Sequence, residues 1–378
     1  MKKKNSSKYR AILTVTMILF LLTVFKIDLS RAAIQGPCSD CHTMHNSQDS
    51  GAMTFDESAA PNPQLTRATC YGCHAMDIAS PTFALSTDVI PQVNHTGARD
   101  LAAGNFRHIT SGDQTRGHNI SDLTGADTVL IYPPGILYDV HTAVVNTNTL
   151  TCAGTTGCHG YRYPDPAQFQ DGVSGAHHKN VDGKLDLATE PGNSYRFLMG
   201  VKGYESGDWE ENPTVADHNE YFGLTAPIQM TGCGAPTGCH SSPAGIKPPD
   251  GTMSQFCATC HGNFHTLGFS GFGSYDGVGQ AATSPFIRHP TDLALPSDGE
   301  YAAYTEYSLQ APVARTSGVP DGSSSTVTPG TDAVMCLSCH RAHASPYPDM
   351  LRWDYTTIIA GQGTGNTDGC FVCHSSKN

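Results

Sequence analysis

The stretch Met335-Cys336-Leu337-Ser338-Cys339-His340-Arg341-Ala342-His343 sets two cysteines three apart, a histidine directly after the second, and another histidine three residues further on. Working outward along the 378 residues, the same grammar recurs. Cys38, Cys41 and His42 repeat the Cys-x-x-Cys-His spacing, as do Cys70, Cys73 and His74. So do Cys257, Cys260 and His261, and finally Cys370, Cys373 and His374. Two further sets, Cys152, Cys158 and His159, and Cys233, Cys239 and His240, keep the terminal Cys-His but place five residues between the cysteines. The 14 Cys are used up in seven such pairs.

One chemistry needs that order. Haem c is held by two thioether bonds, and the His after the second Cys is then placed under the iron as its proximal ligand. Two intervening residues suit the separation of the vinyl-derived carbons. Five must bulge, and the runs Ala153-Gly154-Thr155-Thr156-Gly157 and Gly234-Ala235-Pro236-Thr237-Gly238 are small and turn-forming. The residues therefore predict seven covalent haems c, with His42, His74, His159, His240, His261, His340 and His374 as proximal ligands. Zinc also uses Cys-x-x-Cys, but it joins two half-sites and asks for no His at a fixed offset. A local disulfide stays the alternative for the two wide pairs, which would leave five haems.

Composition agrees with a non-protein interior. Hydrophobic residues make up 38% and charged residues 15%, while Gly (39) and Pro (24) are plentiful. A chain this poor in apolar side chains either stays loose or fills its core with something else. No helical or strand period is sustained beyond the N-terminus. The expected fold class is mostly irregular chain with short α-helices opening at the haem motifs and few short strands, wrapped around stacked haems. Residues 129–132 and 137–145 cluster β-branched and aromatic side chains and read as strands. Residues 268–279 and 316–330, rich in Gly, Ser, Thr and Pro, read as loops.

Residues 1–32 read as a signal peptide: Lys2, Lys3, Lys4, Lys8 and Arg10 precede an apolar run of 15 residues at 11–25, and the small Ser30 and Ala32 precede the cut. An uncleaved anchor is the alternative, although the run is short for a membrane span. Residues 33–378 are expected to form a single extended unit. Seven of the 22 Lys+Arg and one of the 34 Asp+Glu lie before residue 34, so the remainder carries a formal charge of −18, against −12 for the whole. Such an acid excess argues against nucleic acid and makes anionic membranes poor partners.

Of 18 His, seven are proximal, leaving His45, His95, His108, His118, His141, His177, His178, His218, His265, His289 and His343. That suffices for bis-His ligation of every iron, which leaves no open position for substrate and favours electron transfer. The expected distal set is His45, His118, His178, His218, His265, His289 and His343, with His177 a close rival of His178 and His108 of His118. His45, His265 and His343 follow their own proximal His too closely to reach its other face and are expected to serve neighbouring haems. Pro290 holds His289 extended.

Cys38-Ser-Asp-Cys-His-Thr-Met-His-Asn-Ser, Arg116-Gly-His-Asn-Ile, Phe256-Cys-Ala-Thr-Cys-His, Arg288-His-Pro and Met335-Cys-Leu-Ser-Cys-His-Arg-Ala-His-Ala-Ser resemble the doubled-CXXCH multihaem cytochromes of metal-reducing bacteria, in particular the OmcS-type extracellular filament family. The resemblance implies bis-His haems stacked in a line and electron transfer at the outer surface. It also implies that His45 leaves its own subunit to ligate the haem of Cys336, Cys339 and His340 in a neighbour, giving a homopolymer. The sequence departs from that family in its motif at Cys233, Cys239 and His240, its wide loop between Cys152 and Cys158, and Gly160-Tyr161-Arg162 where the filament protein has a further His.

The leading expectation is thus a non-enzymatic carrier, taking electrons from redox proteins of the periplasm or outer membrane to extracellular acceptors such as metal oxides. The alternatives are a soluble periplasmic shuttle, or a nitrite- or hydroxylamine-type reductase with one open iron. The reductase is commonly marked by Cys-x-x-Cys-Lys, and no such motif occurs.

Overall fold

In a computed structural model the described residues are 36–47, 52–54, 60–76, 78–85, 88–130, 132–135, 150–154, 156–161, 173, 177–178, 183–226, 251–265, 289–363, 365 and 367–377. All belong to one unit, Gln35–Asn378. The expected signal peptide, His141 and the segments 137–145 and 268–279 lie outside them. So does the second wide motif, and with it Cys233, Cys239 and His240, the three residues expected to hold one of the seven haems.

Regular structure is sparse and short. Among the described residues four α-helices, α1 (Tyr71–His74), α2 (Arg107–Thr110), α3 (Ser121–Thr124) and α4 (Met253–Ala258), reach at most six residues. The two-stranded ladders are β1 (Thr82–Ala84) with β2 (Val89–Pro91), antiparallel, and β3 (Thr151–Ala153) with β4 (Gly157–His159), parallel. β5 (Gly183–Leu185), β6 (Gly203–Glu205), β7 (Glu220–Phe222), β8 (Leu293–Ala294), β9 (Ala314–Arg315) and β10 (Ala333–Val334) make one sheet in the order β5-β6-β7-β9-β10-β8, with only β7 and β9 parallel. The fold class read from the sequence is the one observed. Among the described residues no helix is long and apolar enough to cross a membrane.

Each short motif closes one helical turn. The His amide donates to the carbonyl of the first Cys, four residues back, in all five: His42 to Cys38 (2.8 Å), His74 to Cys70 (3.1 Å), His261 to Cys257 (2.9 Å), His340 to Cys336 (3.1 Å) and His374 to Cys370 (2.9 Å). That turn carries both sulfurs and the imidazole on one side of the backbone.

One expectation about these helices is corrected at Cys260. The sequence predicts helices opening at the motifs, but α4 begins before its motif, carries Cys257 and ends at Ala258, so Cys260 lies just beyond it. The Thr252 hydroxyl sets that earlier start by accepting from the Gln255 amide at 3.1 Å. Cys260 is still held in the turn, its amide donating to the Cys257 carbonyl at 3.1 Å, and its side chain is half-buried.

The wide motif differs. Cys152 and Cys158 lie on β3 and β4, and the close approach admits only glycine at 157, where a Cβ would stand 2.5 Å from the Ala153 carbonyl carbon.

Residues 129–132 are not a strand where they are described. The Asp127 carboxylate accepts from the amides of Val129 and Leu130, both at 2.7 Å, and folds the start into a turn. Residues 316–330 are loop, as read, apart from a single bridge between Thr326 and Glu306.

The protein core is divided. Tyr195, Val201, Tyr221, Met253, Phe256, Ala314, Met335 and Leu337 form one buried cluster, with Cys158 and Cys257 against its edge. A second gathers Leu295, Tyr304, Tyr307, Val313 and Val327 beside Cys373. A third, Phe106, Ile109, Ile120 and Ala344, adjoins Cys152. Each cluster touches motif sulfurs, as expected of side chains that share their interior with another apolar body.

Candidate haem-binding sites

The six described proximal histidines share one arrangement. Each has its Nδ1 tied to an oxygen: His42 to Leu65 O (3.3 Å), His74 to Pro91 O (3.0 Å), His159 to Arg196 O (2.8 Å), His261 to Pro134 O (2.7 Å), His340 to Asp349 O (2.7 Å) and His374 to Glu300 Oε1 (3.1 Å). A proton on Nδ1 leaves the Nε2 lone pair for a metal, and the partner oxygen fixes the ring's direction. Burial favours the neutral, ligating form at His74, His159, His261 and His340, and pushes His74 and His261 down to about 4.

Five of the six face a second imidazole. The ring centroids are 5.9 Å apart for His42 and His177, 5.9 Å for His74 and His178, 6.1 Å for His261 and His118, 6.2 Å for His159 and His343, and 6.2 Å for His374 and His289. A metal–imidazole bond is about 2 Å and the ring centre lies roughly 1 Å behind its nitrogen, so two rings on opposite sides of one iron stand about 6 Å apart. The rings cross at angles from 25° to 87°, all compatible with ligation, since each ring plane need only contain the axis through the iron. The residues present therefore fit bis-His haem.

The distal side is built with the same care. His118 and His343 lie back to back: the His118 amide donates to His343 O at 2.9 Å, and His118 Nδ1 to Ala342 O at 2.7 Å. Two glycines permit it. Gly104, at φ +93°, lies where a Cβ would collide with the Ala344 carbonyl oxygen, and a Cβ on Gly117 would stand 2.6 Å from His343 O. His289 Nδ1 bonds to Pro290 O at 3.0 Å. Burial, then the neighbouring His159 and His118, push His343 down to about 3.

Other expected ligands are placed differently. His218 is fully buried with both nitrogens taken, Nδ1 by Thr214 O (3.1 Å) and Nε2 by Glu220 Oε1 (3.2 Å), and its ring stacks on Tyr307. His265 has Nε2 on Asp292 Oδ2 at 2.8 Å. Neither faces a proximal His among the described residues. The Nε2 of each is held by a carboxylate, while the buried Nδ1 of His265 has no partner among the described residues. His45 is exposed and faces no ring within the described chain, and His340 likewise lacks a facing imidazole there. His177, the rival of His178, faces His42 instead, so both members of the His-His pair face a motif histidine. His95 and His108 keep Nε2 on Asn105 and Asp100.

The six described sites follow one another. His177 and His178 join the first to the second, where the Cys41 and Cys73 thiols are hydrogen-bonded. Phe197 touches His178 (5.1 Å), and the preceding Arg196 carbonyl holds His159, joining second to third. The His118–His343 clasp joins the third to the site of Cys257, Cys260 and His261. That site meets the next through the hydrogen-bonded Cys257 and Cys336 thiols. Last, the Cys339 thiol is pushed up to about 12 by burial and then by Cys373 and Cys370 beside it.

Sulfur pairs ending in Cys-His, with imidazoles opposed across the width of an iron, define a multihaem c-type cytochrome. A family model described as the doubled CXXCH motif matches residues 32–79 and 328–378. The chain resembles C-type cytochrome OmcS of Geobacter sulfurreducens, 27% identical over 375 residues that cover 86% of this chain and 81% of the relative. Among solved structures it is similar to the Outer Membrane Cytochrome S filament of that organism (20% identity, 88% of each chain, TM-score 0.43) and to the OmcS nanowires (19%, 91% of each, TM-score 0.45).

Proposed function

We infer that the protein, exported by residues 1–32 and working as residues 33–378, conducts electrons through seven haems c to acceptors outside the cell, and that it does so as a homopolymer. Bound haem supplies reversible one-electron exchange at iron. The chain's own residues do the rest. The cysteines would hold the groups in series, the facing imidazoles would complete the iron's ligands, and the motif histidines' Nδ1 protons are kept in place by main-chain carbonyls or, at His374, by Glu300. With both positions filled, no iron is offered to a substrate, which sets the carrier apart from a reductase. Donors would be redox proteins of the periplasm or outer membrane.

The observation that carries the polymer is a mismatch of one. Among the described residues His340 has no imidazole opposite it, and His45 has no proximal His opposite it. His45 is nevertheless built like a ligand: its Nδ1 is on Asn62 O at 3.0 Å, leaving Nε2 outward. Its backbone sits at φ +53°, and the buried side-chain amide of the next residue, Asn46, ties down Thr54 and Ala60. A fixed, exposed ring with Nε2 turned outward suits an open iron position on a second copy. Replacing His45 with Ala should give monomers in which one haem per chain turns high-spin, read by size analysis and electron paramagnetic resonance. Unchanged assembly with every haem low-spin would overturn the polymer.

A further inference from the structure

Among the six described proximal histidines, five give the Nδ1 proton to a neutral backbone carbonyl; His374 alone gives it to a carboxylate, Glu300 Oε1 at 3.1 Å. Glu300 is placed for this. Its own carbonyl accepts from the Ser375 hydroxyl, and its other carboxylate oxygen accepts from the Ser376 hydroxyl at 3.3 Å, both residues directly following His374. The carboxylate side chain is 12% exposed. Among the described residues one cation answers it, Lys377 Nζ at 3.2 Å, on a side chain 58% exposed. The Tyr301 ring edge closes the neighbouring side at 5.2 Å from His374.

A carboxylate on the far nitrogen draws the Nδ1 proton outward and makes Nε2 a stronger electron donor, which favours ferric over ferrous iron. A carbonyl does this far less. We propose that Glu300 is a positioning and tuning residue that makes the haem of Cys370, Cys373 and His374 the most reducing of the six described sites, with Lys377 limiting the effect. The proposal rests on the haem reading above. It adds a direction to the row, because this site lies beyond that of Cys336, Cys339 and His340, where the first copy meets the second. Electrons at that end then sit at higher energy than on the next haem inward.

The test is a reductive titration of the full holoprotein, followed by visible absorption and by low-spin paramagnetic resonance. Glu300→Gln keeps a hydrogen-bond acceptor and removes the charge; one component of the titration should move to higher potential and one low-spin signal should shift, with the rest unchanged. Lys377→Met strengthens the bare carboxylate and should move the same component to lower potential. Should Glu300→Gln fail to mature, Lys377→Met decides alone, since it leaves the contact with His374 in place. Titrations superimposable on the parent in the variants that mature, with haem attached at Cys370 and Cys373 by peptide mass, would overturn the proposal and leave the carrier reading standing. Absence of haem from that peptide in the parent would overturn both.

Discussion

Two interiors coexist in this chain, and they use histidine in opposite ways. In the six-stranded sheet, His218 is enclosed by protein alone: Tyr307 stacks on it with centroids 3.7 Å apart, and both its nitrogens are bonded. Arg315 lies over the Tyr307 ring at 5.5 Å and pairs with Glu220 at 2.6 Å and Asp332 at 2.8 Å. In the row of motifs, His118 is half-buried, and only its Nδ1 has a protein partner among the described residues. What differs is the nitrogen left over. A protein core satisfies most of its polar atoms, so a motif-facing imidazole with Nε2 unclaimed points to a place where the interior is not protein.

The contrast can be broken most forcefully at Arg315, whose guanidinium answers two buried carboxylates. Arg315→Met should cost about 3–5 kcal/mol of stability, because it leaves Glu220 and Asp332 uncompensated. Thermal melting followed by far-ultraviolet dichroism reads the loss, and the haems that remain attached should stay low-spin. Paired alanine variants sharpen it further. His218→Ala should destabilise by roughly 1–3 kcal/mol by orphaning its partners, with every haem still low-spin. His118→Ala should turn one haem high-spin, seen by paramagnetic resonance. A high-spin signal from His218→Ala would erase the distinction.

Gly117→Ala tests the clasp from the backbone. The added methyl meets Ala344 Cβ at 2.5 Å, and the forced shift should cost roughly 1–3 kcal/mol while disturbing the low-spin signals of His118 and His343 together. The smallest effect is acid. Burial pushes the Glu220 carboxyl up, but the hydrogen bond from His218 and the hydrogen bond and charge of Arg315 outweigh it and hold it below 4.5. Its ionised form thus stabilises the fold fully above about pH 4.5 and progressively less as the pH falls towards the lowered value. Stability measured from about pH 6 downward should fall in that window, and the fall attributable to Glu220 should shrink in Glu220→Gln.

Much of the site is legible in the sequence because covalent chemistry writes itself in spacing. The helical turn at each short motif follows from two sulfurs and an imidazole that must share one side of the chain. Where the helix begins does not follow: at Cys257 and Cys260 the Thr252 cap decides it, a residue outside the motif. Supply and position put His118, His178, His289 and His343 among the distal ligands, and each faces a proximal ring. The same grounds put His218 and His265 there, and neither does. Nothing in the sequence tells that Glu220 and Asp292 will claim their Nε2 atoms across 2 and 27 residues. The wide motif at Cys152 and Cys158 is expected to bulge; that its ends pair as parallel strands depends on Gly157 packing against Ala153, a tertiary contact. The stretch at 129–132 has strand-forming residues, but Asp127 captures its first amides. The oxygens that fix the proximal rings are largely main-chain carbonyls, which carry no residue identity and leave no trace in a sequence.

The clasp of His118 against His343 has a consequence for speed. Tunnelling between two irons falls steeply with separation, so thermal jitter in their spacing would make a conductor noisy. Here the axial rings of two successive sites hang from one hydrogen-bonded seam, threaded past a single alanine by two glycines. Irons held by these two rings would share that seam, so a movement of it would shift both together rather than one against the other.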